Sequence, residues 1–338
     1  MKNRLGLMCL VLIALWNLEI QAQNLPTMRI SVENAPTHVQ TRAVQAFADD
    51  IRQQLAGRIA VEFFSEARLF RDSEVISALM QGKVEMAVPG NWNVERFEPN
   101  VGMFLLPFFY GKPAQTNYAV LDGKIGQAIT ARVEQNLHVK VLGRWIDLGH
   151  AHLFSIGQPI ARHEDIRQKR VRVAGGRANE LRIQAFGGIP TSIPWPDLPA
   201  YLEQGKIDAI LTSYETINSA KLWEKGIRYV FEDREYFPQY IPMIRLSFWD
   251  KLPADIRQII LDTWEKHVDQ ARQAAAAAQA EAKTTLRTHG IEITVPDEQA
   301  MTHWRQMLLP LQNDFIQTLK IDPELVNQIL AEFPEAQP

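Results

Sequence analysis

The chain has 338 residues, with 36 Lys+Arg against 39 Asp+Glu and a formal net charge of −3. That length exceeds a usual single domain of roughly 100–150 residues, so two domains are expected. A content of 46% hydrophobic and 22% charged residues excludes a disordered chain. The near-balanced charge argues against nucleic acid as the main partner. The single cysteine, Cys9, excludes an intrachain disulfide and a Cys-based zinc site.

Lys2 and Arg4 precede an apolar run at residues 5–16. Asn17, Glu19 and Gln21 then dilute it, and Ala22 offers a small residue for cleavage. Residues 1–22 therefore read as a secretory signal peptide. The apolar run is shorter than the roughly 20 residues that span a bilayer. Cys9 lies inside it and not after it, which argues against a lipid-anchored mature N-terminus. No later segment is long and apolar enough to cross a membrane. A soluble, cysteine-free mature protein is expected, located in the periplasm.

Residues 28–33 alternate and predict a strand. Asn34-Ala35-Pro36 is a turn, and residues 39–55 predict a helix with Gly57 just past its end. A strand at 59–64, a helix at 73–81 closed by Gly82, and a strand at 84–88 follow. This alternation is that of a parallel sheet with crossover helices. The pattern recurs. Leu79-Met80-Gln81-Gly82-Lys83-Val84-Glu85 resembles Leu202-Glu203-Gln204-Gly205-Lys206-Ile207-Asp208. Upstream of each copy lies a strand-turn-helix opening, at 29–34 and at 170–175. Two similar α/β lobes are implied.

Residues 253–289 contain no internal Gly or Pro and are rich in Ala, the best helix former. Ile256, Ile259, Ile260, Trp264, His267 and Val268 fall near one face, and Gly290 ends the segment. As one helix it would run about 55 Å, longer than one lobe, so it must kink or lie along both lobes. The chain then returns through 291–295 to a helical C-terminus. The expected fold is α/β and two-lobed, of the periplasmic binding protein type, each lobe a sheet flanked by helices. Residues 23–148 form the first part of lobe 1 and 149–235 most of lobe 2. Residues 236–338 supply return strands, the interlobe helix and C-terminal helices. Ligands of open α/β sheets sit beyond the C-terminal strand ends, and two facing lobes put those ends around one cleft.

Catalytic motifs are absent: there is no G-x-S-x-G, Walker loop, H-E-x-x-H or G-x-G-x-x-G. Ala174-Gly175-Gly176 and Phe186-Gly187-Gly188 read as turns. His150 and His152 point the same way if in a strand, with Asp147 near, but no third metal ligand is apparent. No metal, cofactor or catalytic residue is expected, although a triad need not be contiguous in sequence. The alternative class is a secreted hydrolase or lyase on a two-lobed scaffold.

Further segments carry a resemblance. They are Gly57-Arg58-Ile59, Leu105-Leu106-Pro107-Phe108-Phe109, Pro159-Ile160, Glu164-Asp165-Ile166 and Val171-Arg172-Val173. Phe186-Gly187-Gly188-Ile189-Pro190, Gly205-Lys206-Ile207-Asp208 and Trp249-Asp250-Lys251-Leu252-Pro253 complete the set. With them the chain resembles, over about residues 27–320, the extracytoplasmic solute-binding proteins of TRAP transporters, the DctP family. The resemblance implies a long helix crossing both lobes and capture of a small organic acid anion. It also implies delivery to small and large TRAP membrane subunits that use an ion gradient. A subunit presenting its ligand to a sensor would share the fold.

Within this resemblance the central ligand contact is the strand arginine, here Arg172. A planar guanidinium pairs both oxygens of a carboxylate, which lysine cannot do with the same geometry. Less directly, the resemblance implicates Asn34 in the first turn, Trp195 beside the ligand, and Asn91 and Trp92 after the third strand. It also implicates Arg68 after the second strand, and Thr212 and Tyr214 after the equivalent strand of lobe 2. Two departures stand out. His152 occupies a position where many relatives carry a second arginine, and Thr212 replaces a frequent asparagine. One cation and one amide fewer argue against sialic-acid and sugar-acid ligands. Trp92, Trp195 and Tyr214 suggest a monocarboxylate with an apolar or aromatic body, with a C4-dicarboxylate as the other reading.

Overall fold

The computed structural model describes residues 25–332. The signal-peptide reading of residues 1–22 lies outside the described residues. The chain opens with β1 (Thr27–Ser31), α1 (Val39–Gln54), β2 (Ala60–Phe64), α2 (Asp72–Met80) and β3 (Met86–Ala87), close to the predicted alternation. Short turns including α3 (Asn91–Val94) lead to α4 (Ala114–Asp122), α5 (Lys124–Leu137) and β4 (Val139–Val141). Next come β5 (Ile146–Asp147), β6 (Ala151–Ser155), β7 (Arg170–Val173), α6 (Arg177–Ala185) and β8 (Ile189–Ser192). They are followed by α7 (Leu198–Glu203), β9 (Ala209–Ser213), α8 (Tyr214–Ser219) and β10 (Tyr229–Tyr236). The return runs through β11 (Gln239–Tyr240), β12 (Met243–Arg245) and α9 (Leu246–Trp249) to α10 (Ala254–Thr288) and β13 (Glu292–Thr294). Then α11 (Glu298–Leu308), α12 (Gln312–Leu319) and α13 (Pro323–Glu332) close the chain.

Two sheets result, in the orders β2-β1-β3-β12-β4 and β13-β10-β6-β9-β7-β8. Each is completed by a late strand, β12 in the first and β13 in the second, so neither lobe is one continuous stretch of sequence. Between them β5 and β11 form a two-stranded antiparallel pair where the chain passes from lobe to lobe and back.

The repeat seen in the sequence has a structural counterpart. In lobe 1, β1 runs parallel to β2 and β3. In lobe 2, β7 runs parallel to β8 and β9. Gly82 and Gly205 both take positive φ, 74° and 61°, to end a helix, a conformation glycine adopts without a Cβ penalty. The acid closing each motif is anchored alike. Glu85 accepts from the backbone and side chain of Arg29, and Asp208 from the backbone and side chain of Arg170. Arg29 lies in β1 and Arg170 opens β7, the central strand of each parallel trio, so the same bidentate clamp fixes strand register twice.

Helix α10 is one uninterrupted element of 35 residues, about 52 Å long. It lies along both lobes as an unbroken strut. It packs on α1 in lobe 1, with Trp264 edge-on to Phe47 at 5.2 Å. At the crossing Arg272 donates to the Trp145 carbonyl and pairs with Asp122. In lobe 2 its Ala282 and Leu286 complete the core that also holds Phe154, Ile210 and Ile217.

Lobe 2 also encloses a charged cluster. His163 Nε2 lies 2.7 Å from Glu235 and 3.3 Å from Asp233. The fully buried Arg182 has its Nε 3.8 Å from the other Glu235 oxygen. Burial alone lowers the pKa of His163, but Glu235 and Asp233 outweigh it and hold it up at about 9. A histidine whose folded pKa exceeds its unfolded value stabilises the fold fully below about 6.5 and loses that contribution as pH rises through about 9. The melting temperature is expected to fall across that window, with a shallower fall in His163→Asn. Identical slopes in thermal melts of the two proteins would show that this cluster does not carry the titration.

Candidate ligand-binding site

The C-terminal ends of β1, β7 and β9 face one another between the sheets. Glu33 and Asn34 follow β1, Arg172 sits in β7, and Thr212 and Ser213 end β9. Trp92 in α3, Trp195 after β8, Tyr236 ending β10 and Tyr240 in β11 bring aromatic rings to the same place. These residues line a cavity of about 50 Å³ between the lobes.

Arg172 is 2% exposed. Its Nε donates to the Ile193 carbonyl at 3.0 Å, and its guanidinium lies 5.9 Å from the Trp195 ring. Among the described residues no carboxylate pairs with it, and neither terminal amine has a hydrogen-bond partner. Burial pulls its pKa down to about 10, with the charge of Glu33 acting against the shift. The guanidinium is thus charged at neutral pH, desolvated on one side and open to the cavity on the other. That arrangement recognises an anion.

The rings are held from behind. Trp92 packs edge-on against Tyr240 at 5.3 Å and Tyr236 at 6.2 Å. The Tyr236 hydroxyl donates to Asn91 Oδ1 at 3.1 Å, and Arg182 lies 5.3 Å from its ring on another side. Asn34 donates to Gln40 at 3.2 Å and to the Tyr240 hydroxyl at 3.3 Å.

Polar contacts tie the lobes together around this cavity, three of them through carboxylates. Arg71 of lobe 1 pairs with Asp197 of lobe 2 at 2.7 Å. Glu215 of lobe 2 accepts from the Val39 amide at 2.9 Å and lies 3.1 Å from His38. Burial favours the neutral form of both side chains, lowering His38 to about 3 and raising Glu215 to about 7. Glu95 of lobe 1 caps α6 of lobe 2, accepting from the Ala178 amide at 3.2 Å. Burial raises Glu95 to about 7, against the pull of that amide. The cap requires close approach at Gly176, where φ is +84° and an added Cβ would sit 3.0 Å from Trp92 Cβ and 3.1 Å from its carbonyl.

Of the residues implicated by sequence, Arg172, Asn34, Trp92, Trp195 and Thr212 meet at the cavity. Four do not. Asn91 is fully buried one layer back, between Tyr236 and Gln239. Arg68 is exposed in its loop, donating to the Ser65 carbonyl at 3.2 Å. His152 follows Ala151 in β6, and side chains alternate along a strand. Ala151 faces the ligand cavity, whereas His152 lines a separate cavity of about 320 Å³ beside α10. Its Nδ1 accepts from the Arg234 amide at 3.3 Å. Tyr214 opens α8 and turns toward β10, donating to Glu232 at 2.8 Å, so it lines that second cavity too. Glu33, Tyr236 and Tyr240 line the ligand cavity without having been singled out in the sequence. Glu33 adjoins Asn34, and that adjacency was the available signal.

Among the described residues the one group of His, Cys and acidic side chains close enough to share a metal is His163, Asp233 and Glu235. Its 2.7 Å contact is a proton-bearing hydrogen bond, and Arg182 already supplies a cation. His150, by contrast, bonds the Lys112 carbonyl, and burial lowers its pKa to about 4.

The model of the family described as bacterial extracellular solute-binding protein, family 7 (DctP), matches residues 30–318, and the chain belongs to that family. A solute-binding protein of Verminephrobacter eiseniae is 25% identical over 86% of this chain and 84% of its own length. A TRAP periplasmic solute-binding protein of Sulfurospirillum deleyianum, solved with bound succinate, is similar with a TM-score of 0.82 and 22% identity. That match covers 90% of this chain and 98% of the other. The sugar acid-binding protein of Advenella mimigardefordensis, solved with galactonate, gives a TM-score of 0.85 at 19% identity, covering 93% and 100% of the two chains. The two-lobed α/β fold and the long interlobe helix expected from the sequence are those of this group.

Gly176→Ala should strain the cap and hold the lobes apart. Forcing a Cβ into positive φ costs about 1–2 kcal/mol before the clash with Trp92 is counted. Solute affinity is expected to fall by roughly five- to thirtyfold, read by calorimetry. Unaltered affinity would show that closure does not bring these atoms together.

Proposed function

We propose that the protein captures a small organic acid anion in the periplasm and delivers it to the small and large membrane subunits of a TRAP transporter. The observation that carries this reading is Arg172: a buried guanidinium with no protein carboxylate, open to a cavity walled by both lobes. An incoming carboxylate pairs with its two free amines, which offsets the desolvation the protein has already undergone. The tryptophan and tyrosine rings cover the body of the solute. Closure then brings Glu95, Arg71 and His38 to their partners across the cleft and changes the surface presented to the membrane subunits. Family membership and the acids held by the two similar solved structures, succinate and galactonate, support the same reading. A monocarboxylate whose body lies against the rings fits the single cation and four rings better than a dicarboxylate does.

Losing one partner of a buried charged pair typically costs about 2–5 kcal/mol, or roughly 30- to 4000-fold in dissociation constant. Arg172→Ala is therefore expected to abolish useful acid binding without unfolding the protein, and Arg172→Lys to leave a weakened residue of it. A thermal-shift screen with C4-dicarboxylates, 2-oxo and 2-hydroxy acids, sugar acids and aromatic acids reads this directly. A solute at about 100 times its dissociation constant stabilises by about 2.7 kcal/mol, a shift of several degrees. A shift that survives in Arg172→Ala at full size would overturn the assignment.

A further inference from the structure

The ligand cavity is dipolar. Among its lining residues Arg172 is the only cation and Glu33 the only acid. Resting on the carboxylate reading above, we infer that the solute is a monocarboxylate whose body carries a hydrogen-bond donor, a hydroxyl or an ammonium group, accepted by Glu33.

The geometry of Glu33 carries this. Its Oε1 is engaged, accepting from the Asp72 amide at 3.1 Å. Its Oε2 has no hydrogen-bond partner among the described residues, and the side chain faces the cavity. Asp72 lies behind it, buried and accepting from the Gly90 amide at 3.3 Å. Burial raises the pKa of both carboxyls, and the charge of Glu33 raises Asp72 further. Arg172 and Arg71 draw Glu33 back, and no cation acts so on Asp72. Glu33 is thus the carboxyl of the pair that stands beside the arginines, and its free oxygen is the acceptor the cavity offers.

A cavity between two lobes with one free cationic donor and one free carboxyl oxygen sorts its ligands. An acid with an apolar body satisfies Arg172 and leaves Glu33 Oε2 desolvated and unpaired. A dicarboxylate satisfies Arg172 and presents its second charge to an acid wall with no other cation on it. A monocarboxylate bearing a donor satisfies both groups.

The test uses matched acids on the purified protein, with dissociation constants from calorimetry. Propionate, lactate and alanine form one set, and phenylacetate, mandelate and phenylglycine another; succinate is the dicarboxylate. The donor-bearing members are expected to bind on the order of tenfold tighter than their donor-free match, and succinate no better than propionate. Lactate and mandelate against alanine and phenylglycine decide between hydroxyl and ammonium. Glu33→Gln should lose any ammonium preference and gain affinity for succinate, and Glu33→Ala should erase both preferences. Equal binding within a matched set by the wild-type protein overturns the inference, as does a preference unchanged in both variants. If acids bind without donor preference and Arg172→Ala abolishes them, only the Glu33 inference falls. If no acid binds, or acids bind undiminished in Arg172→Ala, the carboxylate reading falls and takes this inference with it.

Discussion

A guanidinium buried without a carboxylate partner is the constraint around which the molecule is organised. Such burial is expensive, because water is lost before any counter-charge is gained. Here the expense registers as a pKa for Arg172 drawn down to about 10. The protein meets it only in part, through the Ile193 carbonyl, the face of Trp195 and the charge of Glu33. The rest is left for an anion to supply. On the proposed function, solute affinity and the energy for closing the lobes come from one deficit built into β7.

Because the cavity walls belong to two sheets, that energy can act on their relative position. The polar contacts joining the lobes at the cleft are few, beside apolar packing that runs through one core from lobe to lobe. The Arg71–Asp197 pair is partly exposed, and such pairs contribute about 0–1 kcal/mol. The Glu95 cap and the Glu215 bond to Val39 each satisfy amides that water also satisfies when the cleft is open. None of these alone holds the lobes shut, so a ligand touching both walls decides the population. Helix α10 sets the path of the movement. It packs on α1 in lobe 1 and completes the second core through Ala282 and Leu286. Relative motion must therefore be absorbed near Arg272 and the β5–β11 pair, where the chain crosses.

How much of this was legible in sequence follows from the range of each signal. Strand alternation, Gly caps and the Gln-Gly-Lys repeat are local, and they yielded β1, α1, β2, α2, β3 and the pairing of two similar lobes. The Arg29–Glu85 and Arg170–Asp208 clamps explain why the repeat ends in an acid each time. Arg172 was reachable because its strand motif is local as well. The misplacements have a different origin. His152 and Tyr214 lie close in sequence to cavity residues Ala151 and Ser213, but strand alternation and the turn into α8 send them to the other cavity. Asn91 adjoins Trp92 yet faces inward, where it orients Tyr236. Tyr236 and Tyr240 arrive from the return strands, and no periodicity announces which of those residues close a cleft whose first wall, at Glu33 and Asn34, lies far earlier in the chain.

The internal repeat also clarifies why the two lobes carry unlike chemistry. Superposing the clamps, Arg29 on Arg170, aligns Ser31 with Arg172, Glu33 with Ala174 and Asn34 with Gly175. Equivalent strand ends thus face each other across the cleft with complementary contents. Lobe 2 presents the cation, then two glycines that let the opposing backbone approach. Lobe 1 has the buried Ser31 at the position of the cation, then an acid and an amide at the cavity. Had both ends carried arginine, the empty lobes would repel at the distance where Gly176 meets Trp92. With a cation on one end and a carboxyl on the other, the solute inferred above, with an anionic head and a donor on its body, would touch both. The duplicated scaffold positions the two ends, and the divergence of three residues at each end turns a symmetric cleft into a polar one.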